Sequence, residues 1–207
     1  MKERKNIRLR NYDYSSDGLY FITICTKNRE NHFGEIAAVD TVGIVGTSHV
    51  MSQRSQQMVL NEIGKIADEY LNDIPQHFSH VEMDEFIIMP NHVHCILVLD
   101  KSLVGVGVGV GTRHVVSQHH VVSQPTQYNQ FSKPITGSVS VIIQQYKSSV
   151  KRWCNKNGHE YFQWQSRFHD HVIRDGESYE RIKNYIINNP SHWNDDSLKT
   201  KTEINEL

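Results

Sequence analysis

The chain has 207 residues, 38% of them hydrophobic, and a net charge of -1, which is enough apolar material for one sizeable core and a single domain over residues 1–207. No window approaches ~18 uninterrupted apolar residues, and Met1-Lys2-Glu3-Arg4-Lys5 leads into no apolar segment, so no membrane span or secretory signal is indicated and a cytoplasmic location is expected. The three cysteines, Cys25, Cys95 and Cys154, are odd in number and far apart, which suits buried thiols in a reducing compartment.

In chain order, Gly18 to Thr26 is rich in β-branched and aromatic residues and reads as a first strand. His32 to Ile36 suggests a short hairpin. Residues 37–57 then lose periodicity, become Ser/Gln/Gly-rich and read as a flexible insertion. Ile63, Ile66, Ala67, Tyr70, Leu71 and Ile74 keep helical spacing, with Pro75 as the expected stop. Strands follow over Val81 to Met89 and His92 to Leu99, joined by a tight turn at Pro90-Asn91. Residues 101–134 open on a run of Val-Gly pairs, and Gly111 to Gln118 echoes Gly46 to Gln53. So long a stretch without a helical pattern exceeds an ordinary loop and reads as a second flexible insertion. Val139, Ile142, Ile143, Tyr146, Val150 and Trp153 form the apolar stripe of a helix ending near Cys154. Phe168 to Ile173 reads as a fourth strand. Asp175 is the expected N-cap of a last helix, Glu177 to Asn189, stopped by Pro190.

The order strand, helix, strand, strand, helix, strand, helix is that of a ferredoxin-like α+β fold, an antiparallel sheet with helices on one face. Within it, His92 and His94 project from the same face of the third strand, because side chains alternate along a strand. Two imidazoles so placed can reach one cation. Thirteen histidines in 207 residues give roughly one His-x-His by chance, and the chain has two, the other being His169-Asp170-His171. The spacing alone therefore leaves open a metal site or two satisfied structural histidines.

The near-zero net charge hides an asymmetry. Residues 1–10 hold five Lys/Arg and one Glu, residues 147–183 hold eight Lys/Arg against five acidic residues, and residues 61–100 hold one Lys against eight acidic residues. One basic face would suit a polyanion; ordinary solvated charge is the alternative.

Gly18 to Arg29, Asp84 to His94 and Phe162 to Pro190 resemble the single-tyrosine HUH transposases, specifically the branch associated with repetitive extragenic palindromes (REPs). His92-Val93-His94 is similar to that family's His-hydrophobic-His motif, Trp164-Gln165 to its Trp-Gln, and Tyr185-Ile-Ile-Asn-Asn189-Pro190 to its Tyr-x-x-x-Asn-Pro ending. The resemblance covers the chain outside 37–57 and 101–134. It implies an HUH transposase fold with a C-terminal catalytic helix. It also implies an enzyme that cuts and rejoins single-stranded DNA with hairpin or palindromic ends through a 5′-phosphotyrosine. On this resemblance Tyr185 is the nucleophile, and His92, His94 and Asn189 hold Mg²⁺ or Mn²⁺; a homodimer is left open. Tyr185 and Asn189 are four residues apart and share a helix face.

The basic segments then become an expected DNA track of Arg8, Arg10, Lys147, Lys151, Arg152, Arg167 and Arg174. Tyr146 and Tyr179 are rival phenols whose helical positions suit core packing. His169 and His171 share a strand face and could meet DNA, its leaving group or only the sheet edge. Two other functions stay open: a metal-dependent single-strand nuclease in which water attacks, and a domesticated DNA-binding protein without catalysis.

Overall fold

The computed structural model describes residue 9 and residues 12–45, 49–103 and 135–199, without the side chains of 40–45 and 49–54. Its centre is a four-stranded antiparallel sheet of β1 (Gly18–Cys25), β4 (Val81–Met89), β5 (His92–Leu99) and β6 (His169–Ile173), in the order β4-β5-β1-β6. Each outer strand is reached by a crossover, the split βαβ arrangement expected from the element order. Helix α1 (Glu62–Asn72) and helix α3 (Val139–Lys156) are those crossovers.

Strand alternation sorts the core into two layers. Tyr20, Ile22 and Ile24 of β1 and Val93, Cys95, Leu97 and Leu99 of β5 bury against α1 and α3, through Ile63, Ala67, Leu71, Ile142, Ile143, Tyr146 and Val150. The opposite face carries Leu19, Phe21, Ile87 and Ile96, covered by Tyr179, Ile182 and Ile186 of α4 (Gly176–Asn188). The helices therefore lie on both faces, α1 and α3 on one and α4 on the other. Burying Ile182 and Ile186 is worth about 2 kcal/mol each, which anchors α4 at a fixed rotation. Asp175 caps it as expected, its carboxylate accepting from Ser178 N at 2.7 Å.

Two expectations are corrected. Residues 37–57 do not lack regular structure: β2 (Gly34–Val45) and β3 (His49–Leu60) form a twelve-rung antiparallel ribbon, from Gly34↔Leu60 to Val45↔His49. Gly34 has φ +137°, and a Cβ there would sit 2.0 Å from Val59 O, so no other residue fits its start. Pro75 does not simply stop a helix. α1 ends at Asn72, and Pro75 occupies the first turn of a second short helix, α2 (Ile74–His77), where its missing N–H costs nothing.

Of the second expected insertion, Lys101–Leu103 forms a 3-10 turn and 104–134 lies outside the described residues. The chain on either side converges on His80: Asp100 N donates to His80 O at 2.9 Å, and His80 Nε2 donates to Gly137 O at 3.0 Å. The three cysteines are free and buried. No helix among the described residues is long and apolar enough to cross a membrane.

Candidate active site

Where β5 begins, side-chain alternation aims His92, His94 and Ile96 at the α4 face while Val93 and Cys95 enter the main core. His92 and His94 are almost wholly buried, with ring centroids 4.5 Å apart. The partners of the His92 ring settle which of its nitrogens is free. The Asn91 amide donates both of its hydrogens, to Arg29 O at 2.9 Å and Leu198 O at 3.0 Å. Its Oδ1 must then accept from His92 Nδ1, at 2.8 Å. That tautomer leaves a lone pair on His92 Nε2.

Facing that lone pair is the carboxylate of Asp196, with Oδ2 3.7 Å from Nε2. Both atoms are buried without a hydrogen-bond partner, and so is Asn189 Oδ1. Two buried acceptors facing each other with no donor between them, and a third left unpartnered on Asn189, is a costly arrangement unless a cation offsets it. The His92, His94 and Asp196 ligand atoms lie within 4.8 Å of one another, a spacing that suits one metal ion, and this donor set of imidazole, carboxylate and amide oxygen fits a divalent cation.

His94 Nδ1 bonds Thr23 Oγ1 at 2.9 Å, and His94 Nε2 lies 3.2 Å from the Tyr185 hydroxyl. Phe21 stacks on His94 at 5.3 Å and meets Tyr185 in a T-shaped contact at 6.2 Å. The phenol is thus held in place, yet Tyr185 is 45% exposed, so its oxygen can be reached from solvent. Partial burial raises its pKa, the Asp196 charge raises it further, and a hydrogen bond from Asn189 lowers it. With the His94 proton on Nδ1, donated to Thr23 Oγ1, the Nε2 lone pair can serve one partner at a time, the Tyr185 proton or a cation.

Burial holds both imidazoles neutral, with His94 pushed down to about 3 and His92 well below its ordinary value, the latter aided by His94 and Arg29. An unfolded chain takes up these protons near pH 6.5, the folded one only far lower. Stability is therefore full above that pH and falls as pH drops through it. In chelator, unfolding free energy should decline by about 2 kcal/mol on account of His94 alone between pH 7.5 and 5. Denaturant titrations of wild type and His94→Gln check this: the variant's pH slope should be shallower by that amount.

Four expected site residues, Tyr185, His92, His94 and Asn189, come together. The rival phenols do not join them: Tyr146 is buried on the opposite face with its hydroxyl on Ala67 O, and the Tyr179 hydroxyl accepts from Lys183 Nζ. Lys147 and Lys151 spend their ammonium groups on backbone carbonyls of Glu160, Phe162 and Gln165. Arg152, Arg167 and Arg174 are exposed, and Arg8 and Arg10 lie outside the described residues. Sequence reasoning missed Asp196, Asn91 and Thr23. Asp196 comes from the turns after Pro190, where the 3-10 helix Asn189–Asp195 buries Trp193 and brings its ring within 6.1 Å of the His92 ring.

No protein-family model matches the chain. It is 34% identical over 198 residues to an uncharacterized protein of Haemophilus influenzae, spanning 94% of this chain and 92% of that one. Among solved structures it is similar to a REP-associated tyrosine transposase bound to a REP hairpin, with 17% identity, coverage of 93% of this chain and 74% of that chain, and a TM-score of 0.46. It is also similar to a presumptive transposase from Deinococcus radiodurans, at 14% identity, 87% and 95% coverage, and a TM-score of 0.40.

Proposed function

We propose that this chain, which belongs to one family with the Haemophilus influenzae protein, is a DNA strand transferase of the single-tyrosine HUH type. It would cut and rejoin single-stranded hairpin DNA through a phosphodiester link to Tyr185. The observation that carries the reading is one cluster: an accessible phenol 3.2 Å from a buried histidine, beside three buried acceptors that lack a donor. His92, His94, Asp196 and Asn189 would hold a divalent cation, which when bound supplies Lewis-acid polarisation of a phosphate.

The chain's own residues do the rest. Asn91 and Thr23 fix the two imidazoles. Phe21, packed against both His94 and Tyr185, limits how far the phenol can swing. Tyr185 attacks phosphorus and the DNA 3′-oxygen leaves; rejoining is the same exchange reversed. One phosphodiester replaces another, so no nucleotide cofactor is required, and the chain has no Gly-x-x-x-x-Gly-Lys-Ser/Thr loop. The test is incubation with labelled single-stranded hairpin DNA and Mn²⁺, read on a denaturing gel. A covalent protein–DNA band supports the reading. Cleavage without the band favours a nuclease, and binding without cleavage a non-catalytic protein.

The DNA path would use exposed cations, with Arg152, Arg167 and Arg174 contributing more than Lys147 and Lys151. Binding of single-stranded DNA should weaken with salt at a log–log slope of about -0.7 per phosphate contact, and Arg167→Ala or Arg174→Ala should each reduce that slope; slopes equal to wild type would remove them from the path. Residues 104–134 should be dispensable for folding, because the chain on both sides of them is tied to His80. Replacing them with a short Gly/Ser linker should leave the thermal midpoint nearly unchanged, whereas a loss of several kcal/mol, as core deletion gives, would make them structural.

A further inference from the structure

We infer that His169 is the general acid that protonates the departing DNA 3′-oxygen, an inference that rests on the strand-transfer reading above. Register places it. Thr23 of β1 pairs with His94 on one side and with His169 on the other. The three residues form one row across β5, β1 and β6. Ile173 packs into the α4 layer while Val172 joins the opposite core, so His169, in phase with Ile173, faces the same side as His94. Two strand spacings separate the His94 and His169 backbones, about 10 Å. His169 is exposed.

The direction of attack selects this residue. By Lys183, helix α4 lies over β4, where the ammonium group meets Asp84 at 3.3 Å. Tyr185 follows two residues later and reaches back toward His94 on β5. The phenol thus approaches from the β4 side of the row. In-line displacement sends the leaving oxygen to the side opposite the nucleophile, here toward β6. His171 shares the face but lies one row further along, paired with Phe21.

The step balances. The Tyr185 O–P bond forms and the P–O3′ bond breaks. The phenol proton passes to water on the exposed side, and the His169 imidazolium gives a proton to O3′, then regains one from solvent. In rejoining, neutral His169 takes the proton from the attacking 3′-hydroxyl. An imidazole suits both directions near neutral pH.

The test uses the full chain with Mn²⁺ and a hairpin oligonucleotide from the DNA flanking its gene. Once wild type has located the cut, the oligonucleotide is resynthesised with sulfur replacing the 3′-oxygen there. A thiolate leaves without being protonated. His169→Gln, a surface change, should slow adduct formation about 100-fold or more on the oxygen substrate and restore near-wild-type rates on the sulfur substrate. Equal rates for variant and wild type on oxygen, or an equal deficit on both substrates, would overturn the assignment while leaving the strand-transfer reading intact. Absence of any adduct with wild type would overturn that reading, and this inference with it.

Discussion

Tyr185→Phe should eliminate the covalent protein–DNA adduct altogether, because it removes the single oxygen that the link requires. The change leaves the ring and its edge contact with Phe21 in place. It deletes the hydroxyl bonded to His94 Nε2, so the stability cost should be about 1 kcal/mol, that of one hydrogen bond. Helix α4 stays seated through Ile182 and Ile186, which do not touch the deleted atom's role. Cation binding should persist or tighten, since the His94 lone pair loses its competitor. Tyr146→Phe and Tyr179→Phe should still form the adduct, because their hydroxyls are engaged with Ala67 O and Lys183 away from the histidine pair. The measurement is the adduct band and cleaved product for each variant under identical conditions. Cleavage by Tyr185→Phe at the wild-type rate would make water the attacking group and the nuclease reading the better one.

How much of this was legible follows from the range of the rule each residue obeys. His92 and His94 share a face by strand alternation, a rule spanning two residues, and an apolar strand flanked by a Pro-Asn turn carried it. Tyr185 and Asn189 share a face by helical periodicity over four residues. The β2–β3 ribbon escaped because β3 is Ser- and Gln-rich and neither strand alternates cleanly; a two-stranded ribbon paired only with itself has little need to bury one face. Asp196 escaped for the opposite reason. Nothing local marks it among Asn194-Asp195-Asp196, and its place is fixed by Asn91, which binds the carbonyl of Leu198, and by Arg29, which binds that of Ser197. Those contacts join residues more than a hundred positions apart. Nothing local marks the partners of Lys147 and Lys151 either, whose ammonium groups bond carbonyls of the loop before β6.

Asp196→Asn should change metal-free stability and cation affinity in opposite directions. In the metal-free protein, Asp196 Oδ2 and the His92 Nε2 lone pair face each other at 3.7 Å, both atoms buried and unpartnered, while Asp196 Oδ1 accepts from Leu198 N at 2.7 Å. An asparagine of the same shape offers an N–H to that lone pair, so the unfolding free energy in chelator should rise by about 1 kcal/mol. The same substitution removes the one anionic ligand of the cluster and caps a nitrogen that the cation needs. Saturating Mn²⁺ should stabilise wild type, by about 2.7 kcal/mol when its concentration is a hundred times the dissociation constant, and should stabilise Asp196→Asn much less. His92→Ala should lose the Mn²⁺ response as well, but with no metal-free gain, because it opens a cavity beside Trp193. Denaturant titrations of the three proteins, with chelator and with Mn²⁺, read both effects without any DNA. If Asp196→Asn keeps the full Mn²⁺ stabilisation, the carboxylate is no ligand; if it lowers metal-free stability, the pairing of two bare acceptors is not the state of the resting site.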